Sequence, residues 1–153
     1  MKRLMLLCSM LVLLGTACKK DDPAKTPAEQ AAADDAQIQA YISANNITAT
    51  KDPSGLYYQI ITPGTGAYPT ASSVYTVNYK GEFITGGTFD SGTFPDFTLN
   101  RVIQGWQIGL PKINQGGRIK LIIPSALAYG PSGSGPIPAN AVLVFTVDLL
   151  SFK

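Results

Sequence analysis

Short stretches spread along the chain carry the side chains that could do chemistry. Tyr79 stands in VNYKG, Phe89 and Asp90 in TFDSG, Trp106 in VIQGWQIGL, Tyr129 in LAYG and Phe145 in LVFTV. They offer rings, phenol hydroxyls, an indole N–H and a carboxyl. Such groups can hold, orient and desolvate a bound molecule. The chain has no histidine, and its two cysteines, Cys8 and Cys18, both lie close to the N-terminus. That excludes zinc sites, Ser-His-Asp and Cys-His nucleophile systems, and a disulfide within the remainder.

Composition narrows the class further. The 153 residues suffice for one domain with extensions. Hydrophobic residues make up 45% and charged residues 14%, with a net charge of +2. The lysines and arginines are scattered, so the chain reads as neither disordered nor nucleic-acid-binding.

The elements that must position these residues begin after Lys51. LYYQII, VYTVNYKGEF, FPDFTL, RIKLII and AVLVFTVDLLSF are rich in β-branched and aromatic residues, with glycine and proline between them. Several alternate. Tyr75, Val77 and Tyr79 share one face, opposed by Thr76 and Asn78; Ile119, Leu121 and Ile123 share another, opposed by Arg118 and Lys120. Leu143, Phe145, Val147 and Leu149 repeat the pattern against Thr146 and Asp148. This predicts an antiparallel sheet buried on one side. SGTFPD, between Asp90 and Phe97, reads as a short loop.

A one-sided sheet needs a cover. Late in the chain the helical candidate is the segment around Trp106, flanked by Gly105 and Gly109. Each glycine costs a helix about 1 kcal/mol relative to alanine, so close approach to the sheet explains them better than propensity. Trp106 then floors any cavity between helix and sheet. The fold class is α+β.

The N-terminus reads as an address. Lys2 and Arg3 precede the apolar LMLLCSMLVLLG, and Gly15, Thr16 and Ala17 lead to Cys18. Residues 1–17 resemble a bacterial lipoprotein signal, which implies lipidation of Cys18 and an anchor in the outer membrane facing periplasm or cell surface. An ordinary secretory signal cut near Ala17 is the alternative. The acidic pair after Cys18 resembles the export signals of Bacteroidetes-type lipoproteins. Residues 18–27 read as a polar linker and 28–50 as a helical segment, with Ile38, Tyr41 and Ile42 forming a narrow stripe. That helix leans on the following domain or serves as a spacer; dimerisation is the sharper alternative. Residues 51–153 form the remaining domain.

The succession VNYKGEF, TFDSG, FTLNRVIQGWQIGL, GGRIKLIIPSALAYG and PIPANAVLVFTVDLL resembles the FKBP-type peptidyl-prolyl cis-trans isomerases over roughly residues 53 to 153. The resemblance implies a twisted antiparallel sheet wrapped around a short α-helix. Position by position, it implies that Tyr79, Phe89, Asp90, Trp106, Tyr129 and Phe145 form the catalytic pocket. It assigns Phe97, Val102, Ile103 and Ile137 to substrate binding, leaving open whether Phe94 or Phe97 supplies the next pocket aromatic. The arginine that often pairs with the family's aspartate is missing from SGTFPD. Taken singly, each residue has a plainer account: Tyr79, Ile103 and Phe145 as core, Trp106 as helix packing, Asp90 as a turn residue, Tyr129 as a strand end.

The activity so implied is rotation of X-Pro bonds in exported proteins, with no cofactor and no metal. The implied partners are proline-containing polypeptides, macrolide immunosuppressant-type ligands and, through the lipid, a membrane. A non-catalytic chaperone or proline-peptide-binding module, and a surface protein using the fold for adhesion or ligand capture, are the alternatives.

Overall fold

The computed structural model describes residues 25–153. The signal segment 1–17, Cys18 and most of the linker lie outside the described residues. Helix α1 spans Pro27–Ala44 and begins with a capping box: Thr26 accepts from the Glu29 N–H while the Glu29 side chain accepts from the Thr26 N–H. Pro27 at its first turn needs no amide partner. The helix occupies the first part of the 28–50 segment and ends at Ala44. Asn46 adopts a left-handed conformation (φ 52), the chain turns, and Thr50–Lys51 form a short strand, β1.

The other strands are β2 (Tyr57–Thr62), β3 (Val74–Phe83), β4 (Thr88–Thr98), β5 (Arg118–Ile123) and β6 (Leu143–Phe152). They form one six-stranded sheet in the order β1-β2-β5-β6-β3-β4, antiparallel at every pairing. SGTFPD is not a loop, because it continues β4 and pairs with β3 from Ser91 to Phe94, resuming at Phe97. β4 is an edge strand, which tolerates Pro95, and a bulge at Asp96 (φ 49) accommodates one extra residue between Phe94 and Phe97.

On one face of the sheet lies the short helix α2, Gln104–Gly109. The alternating residues Tyr75, Val77, Ile119, Leu121, Ile123, Leu143, Val147 and Leu149 are all fully buried against it and its flanking turns. Its glycines are required by contact. A Cβ on Gly105 would stand 2.6 Å from Ile123 Cγ2, and one on Gly109 2.5 Å from Leu121 Cδ2.

The opposite face departs from the one-sided expectation. Ile38 of α1 packs with Tyr57, Ile122, Val142 and Val144 in a second apolar cluster. Ile122 and Val144, which alternation assigns to solvent, are therefore as buried as the residues facing α2. The middle of the sheet is sandwiched between two helices.

Candidate functional site

Between α2, β3, β4, β6 and the segment 125–140 lies a cavity of about 660 Å³. The central strand β6 delivers Phe145, and β3 delivers Tyr79. β4 delivers Phe89, Asp90 and Phe94, and α2 raises Trp106 from below. Trp106 is 4% exposed. Tyr79 and Phe145 meet its ring edge-on, with centroids 5.5 and 5.3 Å away at 74° and 86°. Phe89 stands edge-on to Phe145 at 5.6 Å and 85°. Edge-to-face contacts of this kind fix ring planes and leave a slot with stiff walls. Gly81 makes this packing possible: a Cβ there would lie 2.7 Å from Phe89 and 2.8 Å from Phe145.

One polar pair interrupts the aromatic wall. The Tyr79 hydroxyl donates to Asp90 Oδ2 at 2.7 Å, while Asp90 remains exposed. Burial of the Tyr79 ring, reinforced by the bond to Asp90, its negative charge and the neighbouring Tyr129, pushes the Tyr79 phenol up to about 12. Tyr79 is therefore a neutral donor throughout the ordinary pH range. Trp106 Nε1 is buried and has no hydrogen-bond partner among the described residues.

The rim is built from the turns. Val102 and Ile103 lead into α2, and the Val102 carbonyl accepts from Gln107 Nε2 at 2.8 Å. Tyr129 is 38% exposed and Ile137 7% exposed, on opposite arms of one loop. The loop is closed by the Asn140 N–H donating to Gly130 O at 2.8 Å and by a reciprocal Ser134–Ile137 pair at 2.9 Å.

Tyr79, Phe89, Asp90, Val102, Ile103, Trp106, Tyr129, Ile137 and Phe145 thus line a single cavity. Phe97 does not. It is 3% exposed, behind the wall, stacked on Tyr75 at 5.7 Å and on Phe94 at 4.5 Å; Phe94 is the ring that reaches the cavity. The bulge explains the exchange, because one extra residue turns Phe94 and Phe97, three apart, to the same side of β4. Asn100, Arg101, Ser134, Gly135 and Pro136 also line the cavity, and sequence reasoning passed over them. Their signal was adjacency: they immediately precede Val102 or Ile137. Arg101 is the cavity's cation.

Comparison with known proteins agrees with this geometry. The sequence profile of the family described as FKBP-type peptidyl-prolyl cis-trans isomerase matches residues 66–150. The chain is 43% identical over 123 residues to the FKBP-type peptidyl-prolyl cis-trans isomerase FkpA of Aeromonas hydrophila, covering 75% of this chain and 45% of that protein. It is 40% identical over 145 residues to the outer membrane protein MIP of Legionella longbeachae, covering 88% of this chain and 62% of the relative. The chain thus spans less than half of the first relative and under two thirds of the second. Among solved structures, a peptidyl-prolyl cis-trans isomerase of Pseudomonas syringae pv. tomato superimposes with a TM-score of 0.68 at 30% identity, covering 86% of this chain and 99% of that one.

Proposed function

The chain belongs to the FKBP-type peptidyl-prolyl cis-trans isomerase family, and from that premise we propose that its aromatic cavity accelerates rotation about X-Pro peptide bonds in exported proteins. The observation that carries the reading is the Trp106 floor, walled edge-on by Tyr79 and Phe145.

Rotation about a peptide bond faces a barrier of about 18–20 kcal/mol, because resonance gives the C–N bond partial double-bond character. No covalent bond is made or broken, so neither nucleophile nor metal is called for. The planar amide carries the greater charge separation, with partial negative charge on oxygen. An apolar slot stabilises that state less than water does, and so favours the twisted amide. In this reading the proline ring rests on Trp106 between Phe89, Phe145 and Tyr79, while the preceding carbonyl turns at the rim. The Tyr129 hydroxyl donates to the rotating carbonyl oxygen. Asp90 fixes the direction of the Tyr79 hydroxyl, supported by the 2.7 Å bond between them. Phe94, Val102, Ile103 and Ile137 bound the substrate from the rim, and the same slot would take macrolide immunosuppressant-type ligands.

The proposed location is the cell envelope, with Cys18 lipidated. The charged and apolar start ending at Cys18 supports this, as does the Legionella relative described as an outer membrane protein. Uncatalysed X-Pro isomerisation takes tens to hundreds of seconds, slow enough to limit folding of exported chains.

The test is a protease-coupled assay on a proline-containing peptide. The reading requires cis-to-trans conversion to accelerate in proportion to protein concentration. Binding of the peptide with no acceleration would leave a proline-binding module instead.

A further inference from the structure

Tyr129 and Ile137 reach the cavity from a loop whose position must be set from outside the loop. Its leading turn is Ser125–Leu127, where the Leu127 N–H donates to Pro124 O at 2.9 Å and the Ala128 N–H to Ser125 O at 3.0 Å. Those bonds shape the turn, but they do not anchor it.

Leu127, Ala128 and Ile137 pack on the main apolar cluster, and the polar anchor comes from α1, which lies outside the segment matched by the family profile. Asp34 is 1% exposed, and Ser125 is 2% exposed. Asp34 Oδ2 accepts from the Ser125 backbone N–H at 2.8 Å and from Ser125 Oγ at 2.6 Å. Its other oxygen, Oδ1, accepts from Gln30 Nε2 at 2.7 Å, one helical turn back. Docking the helix does not explain a buried carboxyl, since Ile38 already packs against Tyr57, Ile122 and Val144. Burying a polar group is costly unless it is hydrogen-bonded, and a hydrogen bond is directional where apolar burial is not. Two donors of one residue converging on one oxygen fix both the position and the direction of that residue.

We propose that Asp34 is a positioning residue for the cavity: by gripping Ser125 it sets where Tyr129, four residues later, presents its hydroxyl. The role depends on the isomerase reading of the cavity, and it makes α1 part of the working unit rather than a spacer. Asp34 acts through the turn at Ser125, which also aligns the arm bearing Ile137.

The experiment uses the full chain and two readouts, taken well below each variant's Tm. One is amide hydrogen exchange at Ile137 and Asn140, whose N–H groups close the loop. The other is kcat/KM on a proline peptide. Asp34→Ala should speed exchange at both amides about tenfold and lower kcat/KM several-fold, as for loss of a buried hydrogen-bonded anchor. Ser125→Ala, which deletes only the hydroxyl, should move both readouts the same way by less. Asp34→Asn should recover most of both, because its amide oxygen still accepts the Ser125 N–H. Ile38→Val, which loosens helix docking elsewhere, should lower Tm and leave both readouts at the parent's values. Parent-like exchange and kcat/KM in Asp34→Ala, or in Ser125→Ala should the first not fold, would overturn the proposal. So would equal changes in Ile38→Val, which would mark general helix docking. A parent without isomerase activity would sink the functional reading alone, with exchange still reporting on the Asp34 anchor.

Discussion

The Tyr79 hydroxyl donates to Asp90 Oδ2 at 2.7 Å, and this bond ties β3 to the edge strand β4 in the cavity wall. The half-buried ring makes the phenolate unfavourable, and the adjacent carboxylate adds to that, so the folded-state value rises to about 12. An unfolded tyrosine ionises near ~10. The raised group stabilises the fold fully below pH ~10, and that contribution is lost as pH climbs towards 12. Urea midpoints should fall across this alkaline window, and Tyr79→Phe should flatten the fall. An unchanged slope in Tyr79→Phe would contradict the assignment. Near neutrality the chain has no histidine to titrate, so kcat/KM should be nearly constant from about pH 6 to 8.

Gly105 and Gly109 lie where a helix would gain about 1 kcal/mol from alanine. Contact with β5 outweighs that gain. At Gly105 the new Cβ meets Ile123 Cγ2 at 2.6 Å and Cδ1 at 2.7 Å, on a β-branched side chain with little rotamer freedom. Overpacking of this kind costs about 1–3 kcal/mol. Gly105→Ala should therefore lower stability in chemical denaturation, and more so than Gly109→Ala, whose Leu121 obstacle can swing. A Gly105→Ala protein more stable than its parent would show that α2 is not held by close approach.

The residues facing α2 were legible because β3, β5 and β6 keep strict alternation on that side, and Trp106 followed as the part of α2 pressed against them. Half of the second cluster was legible, since the Ile38, Tyr41 and Ile42 stripe has α1 leaning on the following domain and all three pack there. The sheet positions that receive it were not, although their trace is visible. Ile122 and Val144 interrupt the alternation at positions given to solvent, and their explanation lies in Ile38, far earlier in the chain. Period-two patterning describes one strand at a time and cannot say what covers it. The exchange of Phe97 for Phe94 has the same origin: a one-residue bulge reverses the parity of a strand and leaves no mark in hydrophobicity. The Asp34–Ser125 contact joins residues 91 apart, and spacing cannot disclose it.

Phe145 is 4% exposed and edge-on to both Trp106 and Phe89. Phe145→Ala should cost about 3–5 kcal/mol of stability through the space it leaves. It should also depress kcat/KM more than loss of any single hydroxyl, because water then enters the slot. The check pairs denaturant unfolding with the peptide assay on the folded fraction. Full activity in a destabilised Phe145→Ala would remove desolvation from the mechanism.

At the N-terminus, Cys18→Ser should abolish incorporation of a fatty-acid probe in growing cells. Equal labelling of the variant would rule out the proposed anchor.

The central claim is that the cavity turns a bond by desolvation and hydrogen bonding, without proton transfer or a covalent intermediate. The most direct measurement is kcat/KM for Tyr129→Phe on a proline peptide, with folding checked by circular dichroism. If Tyr129 only donates to the rotating carbonyl, removing its hydroxyl forfeits about 0.5–1.5 kcal/mol, a two- to twelvefold loss. A loss of about ten-thousandfold would match removal of a nucleophile or its base, and would contradict the account.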